Sequence, residues 1–554
     1  MKTLKPQRGR SLVDFMQYNF GEGINIQDSP QEIADSELTA AVNVYLSTEG
    51  DVLQRNGMTR KGPAIPGGGG LGIVRFAQNV VGGKAEQTAQ TVMQVGTNLV
   101  NADTGYVYGN IGTTALPMST AQIFDPSYNG GTDLLVICTD ATGPYAFDGT
   151  NVVNYNPGPT TVTGARWCLV LNDILWLAGI ESDPNLVVGS VPGQPESVPG
   201  YGTFATSTPV TGLGVIGVGL QSAVVAGLQV GVALITGFTP DSYTYQEIPN
   251  EDGVTSGLSM ITIDGILYLV GNYAIYRYDG VNFTEISRKV RPWLQASILY
   301  PQFPMNGNRQ LSWAMYYNRR IYFWYCSNST VPNTALVWDL ARQGWTIYSG
   351  VTLAGGCALN AVGDPDPATF VVCDAKIGQQ YQFDTYTNTQ RNVTDDTVPI
   401  NAYFQSKFFK IGMPGTPKTL LRTTIELFAL PQQAGVFSVT TDYGATVSDF
   451  VTLFPTKTIG GTWGQFDWGK AAWGQVVPLT SSPYPPNTLV WGQGVWGKAL
   501  WAPAAAPYFK ERFDWNLQGE AFAFSFSTPP KQTTPTAPWR FMGLTGRFSQ
   551  QARV

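Results

Sequence analysis

Histidine is absent from the 554-residue chain. That removes His-dependent catalytic triads, the common zinc sites and the usual physiological-pH switch. Cysteine is scarce and odd in number: Cys138, Cys168, Cys326, Cys357 and Cys373, with no CxxC spacing. A disulfide scaffold and a zinc ribbon are both disfavoured, and buried free thiols in a reducing compartment are expected. Charge is also thin, at 13% of residues with a formal net of −6. A mildly acidic chain is poorly suited to holding duplex DNA through counterion release. The opening "MKTLKPQRGR" is basic, but "SLVDFMQYNF" behind it is no apolar signal core, so synthesis in the cytoplasm is expected.

What the chain has instead is 12% aromatic residues, 62 Gly and 37 Pro. This composition is poor in helix formers and rich in strand and turn formers, which reads as all-β. One stretch, Ser197 to Pro240, runs 44 residues without a charge. It is long enough to span a bilayer, yet Gly212, Gly214, Gly217, Gly219, Gly227, Gly231 and Gly237 interrupt it. Two buried strands with a glycine turn are the favoured reading. Gly212, Gly214 and Gly217 also form a GxGxxG, but no βαβ pattern surrounds them and no dinucleotide site is expected. No cofactor or metal is expected anywhere in the chain.

Between about Leu71 and Arg391 two phrases recur. The first is a hairpin: "LVLNDILWLAG" from Leu169, "ITIDGILYLVG" from Ile261 and "AMYYNRRIYFWYC" from Ala314. An Asp-Gly turn such as Asp264-Gly265 is a strong hairpin signal. The second phrase places an aromatic before an aspartate: Phe147-Asp148, Tyr278-Asp279, Trp338-Asp339 and Phe383-Asp384. The aspartate is expected to accept hydrogen bonds from the turn that follows it, and the aromatic to pack between neighbouring units. Intervals between the aspartates are 131, 60 and 45 residues. A propeller blade takes roughly 40–50 residues, so these intervals fit three blades, one blade with an insertion, and one blade. A β-propeller over 61–395 is therefore expected, with a β-sandwich of unrelated hairpins as the competing arrangement.

The two ends differ from the middle. Residues 1–60 carry few hydrophobic runs and read as a docking arm or part of a platform. Lys2, Lys5, Arg8 and Arg10 form a basic start that could reach an acidic surface or remain a solvated tail. From 396 to 554 the strands lengthen, and "AFAFSFS" predicts a strand with one aromatic face. Within that second β-domain, at about 462–502, "TWGQFDWGKAAWG" returns as "VWGQGVWGKALWA". The repeats space Trp463, Trp468 and Trp473, then Trp491, Trp496 and Trp501, by five residues. That fits neither a helix face nor a strand, and predicts short extended pieces broken by glycine turns. The indoles are expected in packed protein contacts, or as stacking platforms for a glycan.

The stretch from Tyr18 to Gly62, "YNFGEGINIQDSPQEIADSELTAAVNVYLSTEGDVLQRNGMTRKG", resembles the opening of structural proteins from phage tails. The matching positions are Gly21, Gly23, Asp28, Pro30, Asp35, Glu37, Leu38, Ala41, Asn43, Gly50, Leu53, Arg55 and Gly57. The phrase from Ser259 to Ser287 is similar to the propeller blade of the same group. The group is the tail hub or nozzle of short-tailed phages, a ring below the portal and its adaptor. The resemblance implies a β-propeller on a β-rich platform formed by the chain ends, and no catalysis. It also implies a ring of identical subunits, expected to be a hexamer, in the virion tail. Its partners would be the adaptor and portal proteins and a tail fibre or tailspike. Double-stranded DNA would pass without specific binding. Gly21, Asp28, Pro30, Asn43, Arg55 and the six tryptophans are then the candidate assembly residues, while Asp148, Asp279, Asp339 and Asp384 are structural blade turns. The alternatives are a tail protein that recognises a host-surface glycan, and a propeller glycosidase. The latter would need two carboxylates ~5–10 Å apart across a pocket, whereas these aspartates repeat at one equivalent position.

Overall fold

In a computed structural model of the chain, each hairpin phrase forms the first two strands of a four-stranded set. The structure describes residues 10–551 apart from 79–87, 113–115, 140–141, 156–161, 163, 218, 238, 240–241, 296–307, 360–368, 385, 388–389, 392–393, 414, 430–433, 443, 453–460, 463–499, 502–507 and 529–538. Trp167–Leu171 pairs with Ile174–Ile180 across Asn172-Asp173, Ile261–Ile263 with Ile266–Val270 across Asp264-Gly265, and Trp313–Tyr317 with Arg320–Tyr325 across Asn318-Arg319. Both central residues of all three turns have positive φ, from 49° to 78°. Two such residues in succession match the right-handed twist of the flanking strands.

The chain divides into two compact units, Met58–Thr385 and a second one made of Met1–Gly57 with Tyr386–Val554. Among its described residues the first unit holds seven four-stranded antiparallel blades. Six are consecutive in sequence, beginning with Gly70–Gln78, Ser119–Asp125, Trp167–Leu171, Val210–Ile216, Ile261–Ile263 and Trp313–Tyr317. The seventh takes Leu353–Ala358, Phe370–Asp374 and Gly378–Phe383 from the end of the unit and Thr59–Ile65 from its start. The first strand of each blade packs on the next blade, and Leu353–Ala358 packs back on Gly70–Gln78. The ring is closed, so this is a β-propeller. Seven blades from Gly70 to Phe383 average about 45 residues, the length a blade requires.

The aspartates fall where their intervals place them, in blades 2, 5, 6 and 7. The 60-residue interval carries its insertion between blades 5 and 6, where Arg291–Leu294 is a single helical turn. Phe147, Tyr278 and Phe383 are buried in the apolar layers between blades 1 and 2, 4 and 5, and 6 and 7. Trp338 departs from this expectation. In blade 6 Val337 and Ala335 face that layer, so Trp338 lies on the opposite face of the strand, its ring 4.8 Å from Trp345.

The charge-free stretch becomes four strands rather than two: Thr203–Ala205, which ends blade 3, and Val210–Ile216, Ala223–Leu228 and Val232–Thr236 of blade 4. Among the described residues no helix is long and apolar enough to cross a membrane. Gly212 and Gly214 sit inside Val210–Ile216, and only Gly217 lies in a turn. A Cβ on Gly212 would come within 2.2 Å of the Gly257 backbone. The glycines of the apparent nucleotide motif thus allow blade 4 to approach the chain entering blade 5.

In the second unit one sheet runs Val44–Leu46, Val52–Gln54, Trp539–Gln551, Lys418–Ala429 and Tyr508–Gly519, with Arg10–Gln17 also paired to Trp539–Gln551. A second contains Leu38–Val42, Tyr403–Ser406, Ala521–Ser527, Ala434–Thr441 and Thr446–Thr452. "AFAFSFS" is the Ala521–Ser527 strand. Phe522, Phe524 and Phe526 are all buried, against Phe548, Phe437 and Trp539 respectively. The N-terminal segment is no free arm. Phe20, Ile24, Leu38, Val44 and Leu46 are core residues of this unit, scattered singly through turns and short strands rather than gathered in runs. The domain limits set from sequence at 60 and 395 fall at Gly57 and Thr385.

Candidate functional site

Residues that carry the N-terminal resemblance fall into two hydrogen-bonded groups, one around Asn25 and Glu37 and one around Arg55. Asn25 donates from Nδ2 to Asp28 Oδ2 at 3.0 Å and to Glu37 at 3.1 Å, while its Oδ1 accepts from the Gln27 and Asp28 amides. Glu37 Oε2 accepts from the Ala34 amide at 2.8 Å. The Gly21 amide donates to Asn19 Oδ1, and the Pro30 carbonyl accepts from the Phe408 amide at 2.9 Å. Lys407 reaches back to the Ile33 carbonyl and to Asp35 Oδ1 at 2.8 Å.

Arg55 is the anchor of the second group, a frame of its own, and is 1% exposed. Its guanidinium grips Asp395 with two parallel bonds, at 2.9 and 2.5 Å, and donates from Nε to Asn43 Oδ1 at 2.9 Å. Asn43 holds φ 56° and donates from Nδ2 to the Asn401 carbonyl at 2.7 Å. A bidentate arginine–carboxylate pair adds geometric specificity as well as energy. Next to it a Cβ on Gly57 would stand 2.0 Å from the Thr394 carbonyl oxygen. Asn43 and Arg55, expected at a subunit interface, instead bind the two chain ends of this unit to each other. Both are buried, so neither is presented to a neighbouring molecule.

The blade aspartates act on their own turns. Oδ1 of Asp148 accepts from the Thr150 and Asn151 amides, that of Asp279 from Val281 and Asn282, and that of Asp339 from Ala341 and Arg342, at 2.7–3.1 Å. Asp339 differs in also pairing with Arg320 at 3.1 Å in a largely buried setting. At Asp279 the Asn282 and Val281 amides hold the carboxyl below its usual pKa. Asp384 is buried at φ 55° on the end of the corresponding strand, and residue 385, where its turn would begin, lies outside the described residues.

Asp125 and Asp252 are among the buried carboxylates that escaped the sequence reading. Asp125 accepts at Oδ1 from the Ser127 and Tyr128 amides and at Oδ2 from the Tyr155 hydroxyl at 3.0 Å. Phe124-Asp125 carries the same aromatic-aspartate signature, but at the end of a first strand rather than a third. Asp252 accepts from the Tyr273 and Ala274 amides at 2.8 and 3.0 Å, and burial raises its pKa against those bonds. Its only local sign is the Asp252-Gly253 turn.

All five cysteines are free, and four are fully buried. Burial pushes the Cys326 thiol up to about 11 and Cys373 higher still, which keeps them protonated and inert. Among the described residues no group of three metal-type ligands gathers. Trp463, Trp468, Trp473, Trp491 and Trp496 lie outside the described residues. The backbone of Leu500–Trp501 pairs with Gly461–Thr462, bringing the two ends of the tryptophan segment together.

The sequence matches no protein-family profile and no curated protein. Among solved structures it is similar to the computationally designed Ika8 protein, at 12% identity over 66% of this chain and 100% of that one, TM-score 0.35. It is also similar to BBS1N in its complex with ARL6DN, at 10% identity over 61% and 100%, TM-score 0.36. A third is the extracellular domain of the putative one component system BT4673 from B. thetaiotaomicron, at 10% identity over 77% and 58%, TM-score 0.37. Likeness of this degree bears on no function.

Proposed function

We propose that the chain is a non-catalytic structural component of a phage virion tail. It would be a hub or nozzle ring subunit below the portal and its adaptor, forming a conduit for DNA ejection and a mount for other tail proteins. The observation that carries this reading is the frame around Arg55. The residues matching the tail-protein opening join the first 57 residues to the last 169 in one β unit, with the propeller inserted in the sequence between them. That is the organisation the resemblance implies. The charge supports it too, since a net of −6 lets duplex DNA slide without adhering.

The test is electron cryo-microscopy of the particle that carries this chain. Density for one copy of the propeller per subunit around the tail axis is expected. Finding the chain outside the particle, or as a single copy on a fibre tip, overturns the reading. In the same particles Trp468 and Trp496 are expected to be shielded from acrylamide. Quenching as free as that of indole would move glycan recognition ahead.

A further inference from the structure

The sheet that contains Arg10–Gln17 ends in two long bare edges. Arg10–Gln17 pairs only with Trp539–Gln551 on one side, and Tyr508–Gly519 only with Lys418–Ala429 on the other, among the described residues. Bare edges of this length are templates for pairing with another chain. The Arg10–Gln17 edge is little protected. Leu12 and Met16 are 62% and 66% exposed on its outer face, with Asp14 between them.

We propose that these two edges pair between copies of this chain, head to tail, so that the sheet continues from subunit to subunit. Direction supports it. The four strands from Arg10–Gln17 to Tyr508–Gly519 are successively antiparallel, so the two edges run in opposite directions. A copy rotated about an axis along the strands therefore meets its neighbour antiparallel. A heterologous contact of this kind closes into a ring when the rotation allows.

Charge fixes the register. Across the outer face one rung reads Asp14, Arg547, Arg422, Asp514, with Asp14 on Arg547 at 2.7 Å and Arg422 on Asp514 at 3.1 Å. Continuing that rung straight into the next copy would place Asp514 directly opposite Asp14, and like charges so placed are destabilising. A shift of two residues instead sets Asp14 opposite Arg512, Leu12 opposite Asp514 and Met16 opposite Lys510. On the other face it sets Val13 opposite the buried Phe513. A stagger between neighbours is also what closing a sheet into a barrel requires. The pairing deepens the ring reading above, yet stands on the edges alone.

The experiment uses paired cysteines in the full chain. Met16→Cys with Lys510→Cys should give, on mild oxidation, a ladder of intermolecular disulfides ending in one closed species. Each single variant should stop at background, as should the off-register pair Met16→Cys with Gln518→Cys. A second arm reverses charge. Asp14→Arg and Arg512→Asp should each weaken self-association by sedimentation, and the double variant should restore it at least in part. A chain that stays monomeric at high concentration overturns the proposal. So do rings visible by microscopy that fail to cross-link, or an off-register pair that links equally well. A ladder in a chain absent from tail particles would sink the tail reading alone.

Discussion

The propeller and the terminal unit are both built of antiparallel strands, but they join those strands over very different sequence distances. In six blades every ladder connects neighbours in the chain, through turns such as Asp264-Gly265. In the terminal unit Arg10–Gln17 pairs with residues 544–551, and Leu38–Val42 with Tyr403–Ser406. Local pairing leaves a repeat in the sequence, because each blade must solve the same turn and packing problem. Pairing across the chain leaves none, since the closing partner lies hundreds of residues away in the sequence, beyond the whole propeller segment. The seventh blade belongs to both classes, and it marks where the units meet in sequence.

That comparison breaks most sharply at Thr59–Ile65. A chain of residues 58–385 should fold cooperatively, whereas 66–385 should not. Without that strand the ring is open, the Gln379 amide loses the Lys61 and Gly62 carbonyls, and Gly378–Phe383 becomes a bare edge. Several ladder bonds plus burial of Ile65 are together worth on the order of 5 kcal/mol. Equal denaturant midpoints for the two chains would show that the seventh blade needs no closing strand.

The terminal unit has its counterpart in Arg55. Arg55→Ala strands Asp395 without its cation and should cost about 3–5 kcal/mol. Arg55→Lys should recover little, because a single ammonium cannot reproduce the forked contact. Calorimetry should show the transition of the terminal unit lowered and that of the propeller unmoved. If both fall together, the units are one cooperative body.

Inside the propeller, Gly212→Ala drives a methyl into the Gly257 backbone and should destabilise by roughly 1–3 kcal/mol through overpacking. Unchanged melting would mean that blades 4 and 5 can separate without loss.

The smallest effects belong to the turns. Asp339→Ala removes a buried pair with Arg320 as well as two turn acceptors, at about 1–3 kcal/mol, while Asp279→Ala affects an exposed turn and should cost less. The Asp279 carboxyl is depressed in the folded chain. Its contribution is therefore complete above the unfolded carboxylate pKa of about 4 and fades as pH falls through the lower folded value. Melting curves of the wild type and Asp279→Ala should differ at neutral pH and converge in acid. A difference that persists undiminished at the acid end would assign the effect to something other than the carboxylate.

Much of the propeller was legible in the sequence. The aromatic-aspartate phrase marked the last turn of blades 2, 5 and 6, because a carboxylate facing its own turn amides is a local device. Blades 1, 3 and 4 lack that phrase: the hairpin from Leu169 marked only the first two strands of blade 3, whose last strand returns after Ser190–Gly202, and the charge-free stretch of blade 4 read only as two buried strands. At the frame around Arg55, the sequence offered the residue types of an anchor but assigned them outward, to an interface. A buried arginine reads like an exposed one until Asp395 is placed beside it, and that carboxylate lies 340 residues away.

The sequence by itself determined that the chain is all-β, that its middle repeats, that its thiols are free, and that Asp148, Asp279 and Asp339 bond to their own turns. Alternation, turn chemistry and composition act within a few residues and are written there. Only the tertiary structure decided that Thr59–Ile65 closes the seventh blade, that the segment before Gly57 contributes core residues, and which strands have a bare edge among the described residues. Those are choices among distant partners of similar local character, and they follow from which apolar faces and buried charges the whole chain can satisfy at once.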